Sequence, residues 1–273
     1  MGTDNSMRCL FCKSDSSASR SVEHIIPESL GNTRSILPRG VVCDRCNNYF
    51  ARKVEAPFLE SPGIRNLRFY QGLENKRGRV PSVPGIITPD IPVLVTRHPR
   101  DDFTSLDVPL KAIAQLIEQG RGELLLSAGS RFPEGLIVSR FLAKIALEAM
   151  AERLVAYPEG LEYLVDEIQL DALRNHARLG QIDKWPIHVR TIYAQDASVA
   201  GINGKREQVV HEYDFLLTPW NEWYFVLAIF GVEFAINLGG PDIDGYLRWL
   251  SANKDVSPLY GVKHGGKDAM PRK

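Results

Sequence analysis

The cysteines of this chain fall in two Cys-x-x-Cys pairs, Cys9/Cys12 and Cys43/Cys46, with 30 residues between the pairs. Two such pairs supply the tetrahedral thiolate set that a structural zinc prefers, each pair forming a knuckle whose sulfurs reach one ion. A closed four-sulfur site keeps no open position for a substrate, so the metal it predicts is a scaffold. Any reaction must then belong to residues that the scaffold holds. Two groups qualify. Between the pairs lies VEHIIPESLGN, residues 22–32, in which the carboxylate of Glu23 directly precedes the imidazole of His24, with Pro27 three residues later. Directly after the last cysteine comes Asn47, followed by a second amide, Asn48. An imidazole, with an ordinary pKa of about 6.5, can take a proton from water at neutral pH.

Together these residues resemble the HNH endonucleases, the ββα-metal nucleases, in the branch with a four-cysteine zinc. Its pattern runs C-x-x-C, then (D/E)-H-x-x-P, then C-x-x-C-N. The matching positions are Cys9, Cys12, Glu23, His24, Pro27, Gly31, Cys43, Cys46 and Asn47, and the resemblance covers residues 8–60. It implies a zinc-stabilised ββα-metal module with Zn2+ on the four cysteines, His24 as general base, and Glu23 with Asn47 holding a catalytic Mg2+ or Mn2+. Phosphodiester hydrolysis needs this set: a deprotonated water, a cation against the phosphorane charge, and help for the departing oxygen. Glu23 stands where many relatives have Asp, and the Asn that many carry before the second cysteine pair is absent from LPRGVVC. Asn32 is a candidate buttress of the His24 loop, and Asn48 is the alternative amide ligand. Neighbours on an extended strand point to opposite faces, so Glu23 and His24 are expected to work from different sides unless the backbone twists. Arg34, Arg39, Arg45, Arg52 and Lys53 are candidates for a phosphate track, with an ordinary solvated face the equal alternative.

The elements that must position these groups follow from pattern. DRCNNYFARKVEAPFL predicts a helix with Phe50, Val54 and Phe58 four apart, ended or kinked by Pro57. The expected organisation is α+β: a nuclease module at 1–66, a linker with an irregular β region at 67–135, and a larger C-terminal α+β domain with antiparallel strands at 136–273. In that last part FPEGLIVSRFLAKIALEAMAERLVAY predicts a long helix, and a weaker helix follows at 159–178. Strands are expected in WPIHVRTIYAQ, EQVVHEYDFLLTP, EWYFVLAIF and VEFAINL, the last two joined by a tight hairpin at Phe230-Gly231; DIDGYLRWLSAN predicts a closing helix. Lys144 and Glu148, four apart, read as a surface pair, and the aromatic cluster PWNEWYF at 219–225 reads as sheet core rather than a stacking platform.

The totals bound what the chain can do. Its 273 residues are 44% hydrophobic and 24% charged, as in ordinary globular proteins, with room for one large or two small domains. The formal net charge is +0, yet residues 1–79 hold 13 Lys and Arg against 8 Asp and Glu, leaving 20 against 25 in the rest. A mildly basic front end is thus joined to an acidic body. The start MGTDNSMRCLFCKSD lacks the apolar run of an export signal, and the longest apolar run, YFVLAIFGVEFAINL, is too short to span a bilayer and contains Glu233. A cytoplasmic location is expected, where paired cysteines bind metal more often than they bridge.

The leading reading is a metal-dependent HNH endonuclease acting on nucleic acid, DNA ahead of RNA, with no membrane partner. Its C-terminal domain would engage a protein partner, a small-molecule activator or a substrate feature, and a homo-oligomer is compatible with it. By analogy, such an accessory domain suits a restriction-like or antiphage-defence effector. Two readings compete. One is a non-catalytic zinc-dependent nucleic-acid or protein binding module, in which Glu23-His24 serves structure. The other is an RNA-cleaving HNH nuclease.

Overall fold

The computed structural model describes residues 7–127, 132–157, 159–182, 184–200 and 205–260. Helices mix with antiparallel strands, and the chain divides into two compact units. One comprises residues 1–26, 34–55 and 134–273; the other comprises residues 27–33 and 56–133.

The first unit opens with a ββα arrangement. Strands β1 (Glu23–His24) and β2 (Ile36–Leu37) pair antiparallel, with Glu23 opposite Leu37 and His24 opposite Ile36. Helix α1 (Asp44–Phe50) follows, capped by the Cys43 sulfur, which accepts from the Cys46 N–H in the role a Ser or Asp side chain usually fills. Helical backbone continues as a π segment, Ala51–Glu55, and a last α turn, Ala56–Leu59. The effect of Pro57 takes that form. A proline lacks an N–H and its ring crowds the carbonyl four residues back, so a wider turn just before it relieves both problems. Phe50 and Val54 are buried, and Phe50 packs edge-on against Phe11 of the first knuckle with ring centres 4.4 Å apart.

The same unit takes up the chain again after residue 134. Helix α2 (Leu136–Leu154) is buried around most of its circumference, the mark of a core helix. Helices α3 (Gly160–Asp166) and α4 (Asp171–Leu179) come next. Strands β3 (Ile187–Thr191), β4 (His211–Leu217), β5 (Trp223–Ile229) and β6 (Val232–Asn237) form an antiparallel sheet in the order β4-β5-β6-β3. Tyr246, Trp249 and Leu250 of helix α5 (Asp244–Ala252) pack on Leu216, Tyr224, Val226 and Ala235 of that sheet. Helix α2 also lies against β5 and β6. The hairpin at Phe230-Gly231 has positive φ at both residues, 46° and 77°, as a two-residue loop matched to strand twist requires. Of the aromatic cluster, Tyr224 and Phe225 are buried in the sheet, whereas Trp220 and Trp223 are 47% and 48% exposed.

The first cysteine knuckle is bolted to these helices. Buried Arg174 of α4 donates from Nε to the Leu10 carbonyl at 2.9 Å. Ion pairs of 2.7 Å join Arg8 to Asp166 and Lys13 to Asp171. The N-terminal module and the region after residue 134 therefore share one body.

In the stretch 67–135, read from its prolines and glycines as a linker with irregular β structure, the second unit forms a regular sheet. Strands Phe103–Asp107, Ile91–His98, Val83–Ile87 and Leu124–Leu126 lie antiparallel in that spatial order. Val83, Ile87, Ile91, Val93 and Val95 bury one face together with Phe69 and Val80. Helix Pro62–Tyr70 precedes the sheet. Its SPG start reads as a breaker, yet Pro62 occupies the first helical turn, where its fixed φ is suitable and its missing N–H costs nothing. Among the described residues no helix is long and apolar enough to cross a membrane.

Candidate metal centre and active site

Cys9, Cys12, Cys43 and Cys46 converge, their four Sγ atoms lying within 4.8 Å of one another. Cys12 Sγ and Cys43 Sγ are 3.7 Å apart. Four sulfurs at about 2.3 Å from a zinc would define a tetrahedron with edges of about 3.8 Å. The Cys43 N–H donates to Cys9 Sγ at 3.3 Å and the Cys46 N–H to Cys43 Sγ at 3.4 Å, bonds that favour thiolate sulfur. The Cys9 thiol is drawn down to about 4 by a hydrogen bond from Cys46, with help from backbone N–H groups, and that same bond together with burial pushes Cys46 up. The opposed shifts describe one proton shared by a pair rather than two independent groups. The donor set fits a structural Zn2+, which would take all four sulfurs as thiolates.

The start of α1 is stitched to the lead-in of β1. Asp44 accepts from the Arg20 N–H at 3.0 and 3.2 Å, the Ser21 N–H at 2.8 Å and the Ser21 hydroxyl at 2.5 Å. The Ser21 hydroxyl and amide hold the Asp44 carboxyl below the usual range. One turn further, Asn47 Nδ2 donates to the Val22 carbonyl at 3.2 Å. With Nδ2 committed, Oδ1 is the end of the amide suited to a cation. Asn47 thus lies beside the backbone that leads directly into Glu23 and His24. Asn48, the alternative ligand, is exposed on the next position. Asp44 was not singled out from the sequence, although an acidic residue opening the helix in CDRC is a start signal.

Glu23 and His24 differ in burial along β1, as expected of strand neighbours: Glu23 is 6% exposed and His24 half-buried. Glu23 turns into the body of the unit, where its Oε1 accepts from Lys144 Nζ of α2 at 2.7 Å. The same ammonium lies 2.8 Å from Glu55 Oε1 and 2.8 Å from Glu148 Oε2. Three ammonium protons meet three carboxylates. Lys144 and Glu148 are each 0% exposed, so their reading as a surface pair is corrected. Spacing four apart shows that two side chains share a helix face, and a helix buried all round has no solvated face to put them on. Burial alone would lower the Lys144 pKa, but Glu148, Glu23 and Glu55 outweigh it and hold the ammonium well above its ordinary value. Burial raises Glu23, which Lys144 and His24 offset only in part while Glu55 adds to it. Burial also raises Glu148 well above the usual carboxylate range, and its Oε1 has no hydrogen-bond partner among the described residues. Nothing in the sequence marks Lys144 as a neighbour of Glu23, 121 positions earlier.

The basic candidates Arg34, Arg39, Arg45, Arg52 and Lys53 are all exposed, Arg45 on α1 and the last two on the π segment. Asn32 is fully buried.

Residues 9–62 match the family model of HNH endonucleases. No curated protein and no solved structure matches the chain. The match takes in both cysteine pairs and the whole ββα arrangement. In residues 9–62 the chain carries an HNH endonuclease domain whose four clustered cysteines fit the zinc-binding branch of that family.

Proposed function

We propose that this protein is a metal-dependent endonuclease hydrolysing phosphodiester bonds of nucleic acid, DNA ahead of RNA. His24 serves as general base, and Glu23 with Asn47 holds a Mg2+ or Mn2+ ion. The observation that carries this reading is the hydrogen bond from Asn47 Nδ2 to the Val22 carbonyl, which holds the Asn47 side chain against the residue that precedes Glu23 and His24. Its support is the family match and the hard-oxygen character of both donors. His24, half-buried where Glu23 is turned inward, carries the imidazole that accepts a proton from the water attacking phosphorus. The cation, when bound, supplies charge neutralisation at the scissile phosphate and the departing 3′ oxygen. Exposed Arg45 on the helix that bears Asn47, with Arg52 and Lys53 on the segment that follows it, suits a backbone track.

One observation favours a second reading. Glu23 is buried and ion-paired to Lys144, as a purely structural carboxylate would be. A zinc-dependent binding module would then bind nucleic acid or protein and cut neither DNA nor RNA.

Incubating the zinc-loaded protein with supercoiled plasmid and with RNA, in Mg2+, Mn2+ or EDTA, separates these readings. Cleavage that EDTA stops is expected, and His24→Ala should slow it by about 10²- to 10⁴-fold with zinc content unchanged. Undiminished cutting by His24→Ala removes the base assignment. Failure of the wild-type protein to cut either substrate favours the binding module.

A further inference from the structure

We propose that Lys144 is a positioning residue of the nuclease site: it clamps one carboxylate oxygen of Glu23 and so presents the other to the cation. This inference rests on the nuclease reading above. A glutamate carries one more methylene than an aspartate, and its terminal torsion is broad and two-fold. Left alone, such a carboxylate spreads over many orientations. Here Oε1 is held at 2.7 Å by an ammonium that cannot itself move freely. Lys144 has no solvent exposure, and its three protons are directed at three carboxylates, each from a different element: Glu23 on β1, Glu55 on the π segment and Glu148 one turn along α2. Oε2 is the oxygen this leaves for a metal.

The burial of Lys144 also says what it does not do. With 0% exposure its ammonium cannot touch a phosphate, so its influence must pass through Glu23. The clamp comes from outside the family match, which ends at residue 62, while Lys144 lies in the middle of α2. Glu55 joins through the π segment that Pro57 induces, so a backbone irregularity contributes to the clamp.

Lys144→Met alone would leave three carboxylates, two of them buried, without a counter-charge and is expected to fold poorly. The working variant is therefore Lys144→Met/Glu148→Gln, with Lys144→Met/Glu55→Gln/Glu148→Gln as the fully relieved form. Mn2+ affinity is read on the full-length, zinc-loaded protein from the resonance of free Mn2+, alongside plasmid cleavage as a function of Mn2+ concentration and the thermal melt. Both variants should keep bound zinc and a cooperative melt yet bind Mn2+ about 10- to 100-fold more weakly, the usual cost of losing a ligand's supporting partner. Cleavage should recover as Mn2+ is raised, which a general loss of folding would not allow. Affinity within about twofold of wild type in a folded variant would overturn the proposal. Tighter Mn2+ binding would also overturn it, by making Lys144 a competitor of the cation. Glu23→Gln is the control for the underlying reading. If it retains Mn2+ binding and cutting, the ligand assignment of Glu23 fails; if it loses both while the Lys144 variants retain them, only the clamp fails.

Discussion

His176 shows how a single buried group contributes to the acid sensitivity of this fold. Its Nε2 lies 2.9 Å from the Ser139 hydroxyl, and its Nδ1 has no partner among the described residues. Burial, and then the neighbouring charge of Arg140, pushes its pKa down to about 4. In the unfolded chain the ring titrates near about 6.5, so there the unfolded state binds more protons than the folded one. Stability from the neutral ring is complete above that value and is lost as pH falls through it, with the loss levelling off below about 4. The shift corresponds to roughly 3 kcal/mol. Urea titrations of wild type and His176→Asn at pH 7 and pH 4 should show the wild-type advantage shrinking by about that amount. An advantage unchanged between the two pH values would mean that His176 is not the titrating group.

At the level of elements, two irregular places determine the geometry. The π segment carries Glu55 to Lys144. The β5–β6 hairpin depends on Gly231, whose φ of 77° suits glycine and whose carbonyl accepts from the Ile192 N–H at 2.8 Å. A β-carbon at Gly231 would collide with the Tyr193 carbonyl. Gly231→Ala therefore combines a disfavoured dihedral with a backbone clash and should destabilise the protein by about 1–3 kcal/mol in chemical denaturation. Amide exchange in β5 and β6 should rise with it. A loss below about 0.5 kcal/mol would show that the turn re-forms without cost.

The chain divides into two compact units, and the candidate residues Glu23, His24 and Asn47 belong to the one that also holds the sheet of β3 to β6. Arg174 ties the first knuckle to α4, and the pairs Arg8–Asp166 and Lys13–Asp171 reinforce it. Structural zinc sites contribute about 10–16 kcal/mol in small modules, a large fraction of any domain's stability. Stripping zinc with a strong chelator, or changing the four cysteines to serine, should therefore loosen more than residues 8–60. Hydrogen exchange should show α2 and α4 losing protection in the same transition as α1. Continued full protection of α2 in the zinc-free protein would mean that the two parts of this unit are energetically separate.

What the chain determines by itself is mostly local. Two residues between cysteines dictate a knuckle, a carboxylate next to an imidazole dictates a pair on one strand, and an amide after the last cysteine dictates a donor on the first turn of a helix. Such features depend on neighbours a few bonds away, so ββα order, thiol cluster and candidate catalytic groups were legible in sequence. The strands and hairpin near residue 230 were legible for the same reason, through alternation and turn chemistry. Helix Pro62–Tyr70 was not, because proline and glycine mark both breaks and starts. Nor was the interior fate of Lys144. Its i,i+4 partner Glu148 reads like any surface pair, and the two carboxylates that complete its shell, Glu23 and Glu55, lie far back in the chain. Only tertiary packing puts an ammonium against Glu23, because burial of a charge is decided by which distant elements surround it rather than by its neighbours in sequence.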